Sequence, residues 1–361
     1  MAALLTFILY TGLGIFIASS YQYIINSAYR KRYQFIILLC IVLGFFSALR
    51  GNTGTDTIAY RSIYSGEDIS FSRGILYMIL NNMFSFIGIP YEIFLFILGF
   101  FTALFTFLAL LKEKEYIDPF VAALVFFMDL YLYSFNIMRQ MLAISICLLA
   151  VSLYLRDEKK RALLLFVVAI LIHSPAIIYL GIIFIQFMFN KKYYKALAFI
   201  CIIGVLFFVI NRNALFLFMS YLIGNNYHYM HYFNPAYVGN MEIIPYVIKL
   251  MPVVIFSGMA SSYFKNAKQM RVYFFLAIIG YILGSLDEFY GNEIGRIGYY
   301  FSYLRIFLLG FAAKKKLMIG KYKIKQNWEK KAIIFYIISV YIYNIFIAGG
   351  GALVPYGAFI S

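Results

Sequence analysis

Gly74-Ile75-Leu76-Tyr77-Met78-Ile79-Leu80-Asn81-Asn82-Met83-Phe84-Ser85-Phe86-Ile87-Gly88 is the stretch on which the topology of this chain turns. It is apolar, yet it is shorter than the roughly 20 residues a helix needs to cross a bilayer, and Asn81 and Asn82 interrupt it. Residues 74–89 therefore read as a short interfacial or re-entrant helix. Were they to cross, every later loop would change side and the basic clusters would become external, against the positive-inside rule.

Around this stretch the chain is 64% hydrophobic, 20% aromatic and only 13% charged, with mean hydropathy +0.84. A soluble domain of that composition would leave large apolar area in water, so the chain is read as an all-α polytopic membrane protein. Apolar runs recur along the whole length without a soluble-sized polar segment, which predicts one integral domain over 1–361. The first run lacks a basic leader and a small-residue cleavage site and is expected to stay as a membrane helix. Helices are expected at 3–23, 33–49, 91–111, 119–135, 137–155, 161–173, 175–190, 195–212, 243–263, 271–287, 296–313 and 332–350, or about twelve crossings.

Charge sets the orientation. Arg30 to Arg32, Lys112 to Lys114, Arg156 to Arg161, Lys191 to Lys195, Lys265 to Arg271 and Lys314 to Lys331 hold all but eight of the 31 lysines and arginines. These loops are expected on the cytoplasmic side, which places both termini outside. The net charge of +16 is thereby explained without a nucleic-acid partner. The outward segments are 50–73, the aromatic loop 213–242 and 287–295. Cys40, Cys147 and Cys201 stand singly in apolar runs and read as packing residues.

The eight remaining basic residues are Arg50, Arg61, Arg73, Arg139, Arg212, Lys249, Arg296 and Arg305. A charge near the hydrocarbon centre costs at least ~2.5 kcal/mol, so such residues are paired or face a polar cavity, and each is a site candidate. Arg50-Gly51-Asn52-Thr53-Gly54-Thr55-Asp56-Thr57-Ile58-Ala59-Tyr60-Arg61 puts two of them around an aspartate and several small or hydroxyl residues directly after an apolar run. Within it, Asp56 is either a salt-bridge partner of Arg50 or Arg61 or a base acting on a hydroxyl.

Arg139 follows Ser134 and Asn136, either of which could cap the next helix and complete an anion site; the plain alternative is an arginine reaching for lipid phosphate. Arg296 and Arg305, nine residues apart, would point to opposite faces of a regular helix about 13 Å apart along its axis. Arg296, near Tyr299, is the better anion ligand, and Arg305 suits pairing with an acid such as Asp129. His173 ends a run of about 13 residues, shorter than the hydrocarbon core is thick, so its turn is expected to be recessed below the outer surface; Ser174 and Pro175 read as the cap and first position of the following helix. It is either a recessed general base or phosphate ligand, or a histidine satisfied by a carbonyl. No Walker, Rossmann, zinc or Ser/His/Asp pattern is present.

Four patterns together resemble the EpsG-like branch of the Wzy polysaccharide polymerases: Arg50 to Tyr60, Ile137-Met138-Arg139-Gln140-Met141-Leu142-Ala143, Ala169 to Ala176 around His173, and Arg296-Ile297-Gly298-Tyr299-Tyr300-Phe301. Val354-Pro355-Tyr356 is similar too. The resemblance implies a bacterial inner-membrane glycosyltransferase with its site facing the periplasm or exterior. It would move a growing glycan from undecaprenyl diphosphate onto a sugar hydroxyl of a new lipid-linked repeat unit, without nucleotide sugar, cofactor or metal. It also implies a membrane partner that regulates chain length.

On this reading Arg139 and Arg296, with Arg50 as a third, hold the diphosphates. Arg305, Tyr60 and Tyr299 contact substrate, and His173 or Asp56 is the base. A lipid-linked oligosaccharide flippase, an O-antigen ligase and a membrane acyltransferase are the alternatives. Against the first stands the lack of an internal repeat relating the two halves.

Overall fold

The computed structural model describes residues 1–27, 29–66, 74–190, 193, 196, 243–285, 292–315, 318–319, 322–323 and 328–357. The expected helix 195–212, the aromatic loop 213–242, and Glu67, Asp68, Arg73, Arg212, Asp287 and Glu288 lie outside the described residues, apart from Ala196. The chain divides into two compact units, one of Met1–Tyr179 with Ile306–Ser361 and one of Leu180–Arg305.

In chain order the helices are α1 (Ala2–Asn26), α2 (Tyr29–Ala48), α3 (Thr57–Tyr64), α4 (Ile75–Phe86), α5 (Tyr91–Glu113), α6 (Pro119–Val125), α7 (Met138–Tyr154) and α8 (Lys159–Ile172). The second unit carries α9 (Gly181–Asn190), α10 (Ile243–Met259), α11 (Lys268–Ser285) and α12 (Asn292–Ser302). α13 (Arg305–Lys314) and α14 (Trp328–Tyr341) follow. Between them a small antiparallel ribbon pairs β1 (Met318–Ile319) with β2 (Tyr322–Lys323), Met318 opposite Lys323.

In the first unit α7 is the central rod. Every residue from Met138 to Tyr154 is buried except Arg139. Its sequence is apolar all round, as expected of a helix with neighbours on every face. α6 starts at Asp118, whose carboxylate accepts the Val121 N–H at 3.0 Å with Pro119 in the first turn, a cap that sequence alone supports. It then widens into a π-helical stretch, Phe126–Tyr131; a second one, Ile342–Ile347, follows α14. Both stretches run into segments that build the site described below.

The two ends of this unit differ in chemistry. At one end Lys112 and Arg161 share Glu158 at 2.6 and 2.8 Å, Arg156 and the Ser152 hydroxyl hold the buried Glu113, and Lys330 pairs with Asp118. The opposite end carries Arg50, α3, the turn before α7 and the last described residues. The start of α1 lies there as well: the Tyr10 hydroxyl donates to the Leu353 carbonyl, and Thr6 Oγ1 accepts the Tyr356 N–H.

Four helical segments are long and apolar enough to cross a membrane: Ala2–Asn26, Lys31–Ala48, Tyr91–Glu113 and Trp328–Ile347. The protein is membrane-integral, and the described residues are helical in architecture apart from the short β1–β2 ribbon. Ile75–Phe86, Pro119–Tyr131, Met138–Tyr154 and Ser174–Phe189 are apolar but shorter. The 74–89 stretch contains the 12-residue α4, about 18 Å long, well short of the ~30 Å hydrocarbon core.

Two local readings are corrected. The segment 50–73 is not all loop, because Thr57–Tyr64 forms α3, which buries Thr57, Tyr60, Ile63 and Tyr64 on one face. The expected helix 296–313 is two helices with a break at Tyr303 and Leu304, so the regular-helix geometry assumed for Arg296 and Arg305 does not apply. Apolar composition continues across both places, and only the turns show where the helices stop.

Candidate functional site

The chain leaves α2 and turns sharply inward. Arg50 is fully buried, its guanidinium 5.0 Å from the Phe135 ring centroid with Nη2 2.7 Å from Met138 Sδ. The Tyr91 hydroxyl faces the guanidinium within reach of a side-chain hydrogen bond, although at strict hydrogen-bond geometry Arg50 Nε and Nη1 and the Tyr91 hydroxyl find no partner among the described residues. Burial pulls the Arg50 pKa down, and the neighbouring tyrosines oppose it. Arginine nevertheless stays charged in proteins. A buried cation with open N–H groups and no acid in contact among the described residues is costly unless something anionic comes to it.

The backbone that holds Arg50 is laced in place. The Arg50 carbonyl accepts the Thr53 N–H and hydroxyl at 3.1 and 2.6 Å, and Thr53 Oγ1 accepts the Gly357 N–H at 2.7 Å. Gly54 N–H and Thr55 N–H donate to the carbonyls of Ala352 and Gly351. Tyr356 stacks on Phe46 at 4.9 Å and donates its hydroxyl to the Phe46 carbonyl. Gly54 has φ +103°, and a Cβ there would collide with the Phe135 carbonyl oxygen, so the turn requires glycine. The Val354-Pro355-Tyr356 pattern is thus part of the site's frame.

Arg139 is the one side chain of α7 that is not fully buried. Its guanidinium lies 5.7 Å from the Tyr60 ring centroid and 5.3 Å from that of Tyr77, and its Nε is buried without a partner. Tyr60, on the buried face of α3, lies within electrostatic reach of Arg50, so one aromatic ring neighbours both arginines. Gly74, at the start of α4, rests directly against the Ile172 carbonyl, one residue before His173. His173 ends α8 and is half-buried. Its N–H donates to the Ala169 carbonyl, and its own carbonyl accepts the Ala176 N–H at the start of a tight helical turn, Ser174–Leu180.

Three sequence readings change here. Neither Ser134 nor Asn136 caps α7: Ile137 occupies that position without a side-chain bond, and the Ser134 hydroxyl donates to the Tyr131 carbonyl instead. Asn136 Oδ1 accepts the Asp56 N–H at 3.1 Å and the Thr55 hydroxyl, tying the α7 turn to the Arg50 loop. Asp56 also forms no ion pair with Arg50 or Arg61 among the described residues. Arg50 points into the aromatic core, and Arg61 faces Glu92 at 3.6 Å and the Tyr91 ring at 5.3 Å. The half-buried Asp56 carboxylate is met by the Thr55 hydroxyl at 3.3 Å.

Arg296, Tyr299 and Arg305 belong to the second unit. There α11 and α12 pack at Gly280 and Gly298, where a methyl on either would strike the partner helix's backbone. The half-buried Arg296 sits on α12 two residues before that contact. Tyr299 lies edge-on to Tyr303 at 6.0 Å, and Arg305 stacks over Tyr303 at 4.4 Å and Tyr281 at 5.8 Å.

A family model described as the EpsG family matches residues 33–357. The chain belongs to the EpsG family. This is the family of Wzy-like polysaccharide polymerases, and membership indicates polysaccharide-polymerase-like function. No curated protein and no solved structure matches the chain.

In this EpsG-family protein, one folded unit holds Arg50, Arg139, Tyr60, Asp56 and His173, five of the eight residues singled out from sequence. Sequence reasoning missed Met138, Phe135, Tyr77 and Tyr91, which form the aromatic and thioether surroundings of the arginines. Their side chains read as ordinary apolar or interfacial residues, and no local signal distinguishes them. Asn136 stands out in the sequence as a helix cap, and the structure makes it a bridge to the Arg50 loop instead. Among the described residues no group of three or more His, Cys, Asp or Glu side chains converges as a metal site.

Proposed function

We propose that this protein is a polysaccharide polymerase of the O-antigen type. It transfers a growing glycan from undecaprenyl diphosphate onto a sugar hydroxyl of a new undecaprenyl-diphosphate-linked repeat unit. The reaction takes place at the outer face of the bacterial inner membrane, in a chain of about twelve crossings with both termini outward. The observation that carries the reading is the pair Arg50 and Arg139. Among the described residues both have buried N–H groups without a partner at strict hydrogen-bond geometry, both face aromatic rings, and neither forms an ion pair. Such a pair suits an incoming diphosphate.

In the reaction the bond between the anomeric carbon of the growing chain and its phosphate oxygen breaks. The diphosphate leaves with the bonding electrons, and the acceptor hydroxyl oxygen takes its place on that carbon. Arg50 and Arg139 stabilise the charge growing on the leaving diphosphate, an effect magnified where water is excluded. The hydroxyl proton goes to Asp56 or His173. Tyr60, its ring 5.7 Å from the Arg139 guanidinium and within electrostatic reach of Arg50, is suited to stacking against sugar or orienting the diphosphate. Arg296, Tyr299 and Arg305, which lie in the second unit, are proposed as further substrate-binding residues.

The test is incubation of the purified protein with one lipid-linked repeat unit, followed by separation of glycans by length. A polymerase yields a ladder from that substrate alone, a ligase requires a second acceptor, and a flippase leaves the substrate unchanged. Arg50→Ala, Arg139→Ala and Arg296→Ala, each assayed separately, are expected to collapse the ladder to single units. A full ladder from the Arg50 and Arg139 variants would sink the diphosphate assignment.

A further inference from the structure

At the charged end of the first unit, a cavity of about 330 Å³ opens among α2, α5, α7 and α8. Arg32, Lys112, Lys114 and Arg161 line it, facing the single carboxylate of Glu158, while leucines such as Leu111 and Leu153 complete its wall. We propose that this cavity binds an anionic phospholipid, its phosphate against the basic residues and its acyl chains over the leucines.

The charge balance favours an anion. Glu158 already serves both Lys112 and Arg161, at 2.6 and 2.8 Å. Arg32 is buried and donates to the Ile24, Ile25 and Ser27 carbonyls at the end of α1, bonds that fix its guanidinium without neutralising it. Lys114 makes no ion pair among the described residues, and the Lys314 ammonium approaches its carbonyl at 2.9 Å, adding further positive charge. Four cations therefore share one carboxylate around a space large enough for a phosphate headgroup.

The apolar wall selects the source of that phosphate. A free phosphate ion gains nothing from leucine, whereas a phospholipid places its chains there and its diester at the basic residues. Basic pockets between membrane helices hold anionic headgroups by this division of labour. The site lies at the far end of α2 from Arg50, so it is independent of the proposed transfer reaction.

The experiment is native mass spectrometry of the full chain released from detergent. Its arms are phosphatidylglycerol, phosphatidylcholine with the same acyl chains, and glycerol phosphate alone. Retention of phosphatidylglycerol over the other two is expected. Lys114→Gln and Arg161→Gln should each lower its occupancy about five-fold, the weight of one basic residue near an anionic surface. Both side chains lie at least partly in solvent, and Glu158→Gln, which removes the competing carboxylate, should raise occupancy. Equal retention of phosphatidylcholine, competition by glycerol phosphate as effective as by the lipid, or a fall in occupancy with Glu158→Gln would overturn the proposal.

Discussion

Asn136 Oδ1 accepts the backbone N–H of Asp56 at 3.1 Å, so the turn that launches Arg139 and the loop that launches Arg50 are one hydrogen-bonded body. Neither residue contacts both guanidiniums, but together they set the spacing between them. Asn136→Ala removes the acceptor for Asp56 and Thr55, at a cost of about 1 kcal/mol. The expected outcome is a modest fall in melting temperature and a polymerisation rate lower by about ten-fold or more, because misplacing a binding group by an ångström is expensive in rate. Time courses of glycan ladder formation check this.

Arg50 offers a separation of stability from activity. Among the described residues its fully buried guanidinium meets a thioether, an aromatic face and the Tyr91 hydroxyl, with no carboxylate to neutralise it. Replacing a poorly compensated buried charge by an apolar side chain of similar volume is often neutral or stabilising, by about 1–4 kcal/mol. Arg50→Met should therefore melt at or above the wild-type temperature while polymerisation is lost. A variant that melts well below wild type and still polymerises would contradict the proposed role.

The C-terminal segment is predicted to support the site. Tyr356→Ala removes the stack on Phe46 and the bond to its carbonyl, and large-to-small changes of buried aromatics cost about 3–5 kcal/mol. Tyr356→Phe keeps the stack and loses one hydrogen bond, about 1 kcal/mol. Thermal unfolding in detergent should rank wild type above Tyr356→Phe and Tyr356→Phe well above Tyr356→Ala, with the ladder shortening in the same order.

At the opposite end, the Lys112 hydrogen bond, helped by Arg161, holds the Glu158 carboxyl below its usual range. A carboxylate whose folded pKa is depressed adds stability above its unfolded pKa and loses it as pH falls through the folded value. The difference in melting temperature between wild type and Glu158→Gln should therefore be present at neutral pH and close below about pH 4. A difference that persists unchanged at pH 3 would rule out the ion pairs as its source.

Much of this architecture is legible in the residues themselves. Uninterrupted apolar length predicts α1, α2 and α5, because a helix that satisfies its own backbone is the structure lipid tolerates. Asp118-Pro119 announces the start of α6, and the short Gly74–Gly88 stretch with its two asparagines yields a helix too short to cross. Arg50 and Arg139 stand out for the same reason, since a charge in an apolar run demands an account.

Tertiary structure decided the remainder. Asn136 could serve as a cap or as a bridge, and only the approach of the Arg50 loop makes it a bridge. Asp56 has arginines on both sides in sequence, yet Arg50 turns into the core and Arg61 outward to Glu92. That residues 351–357 would brace residues 46–57 is not written in either segment, because a backbone N–H or carbonyl is the same in every sequence and finds its partner only when packing brings the two together. Composition and charge thus determined the solvent this chain lives in and the residues worth testing, while long-range packing determined which of them meet.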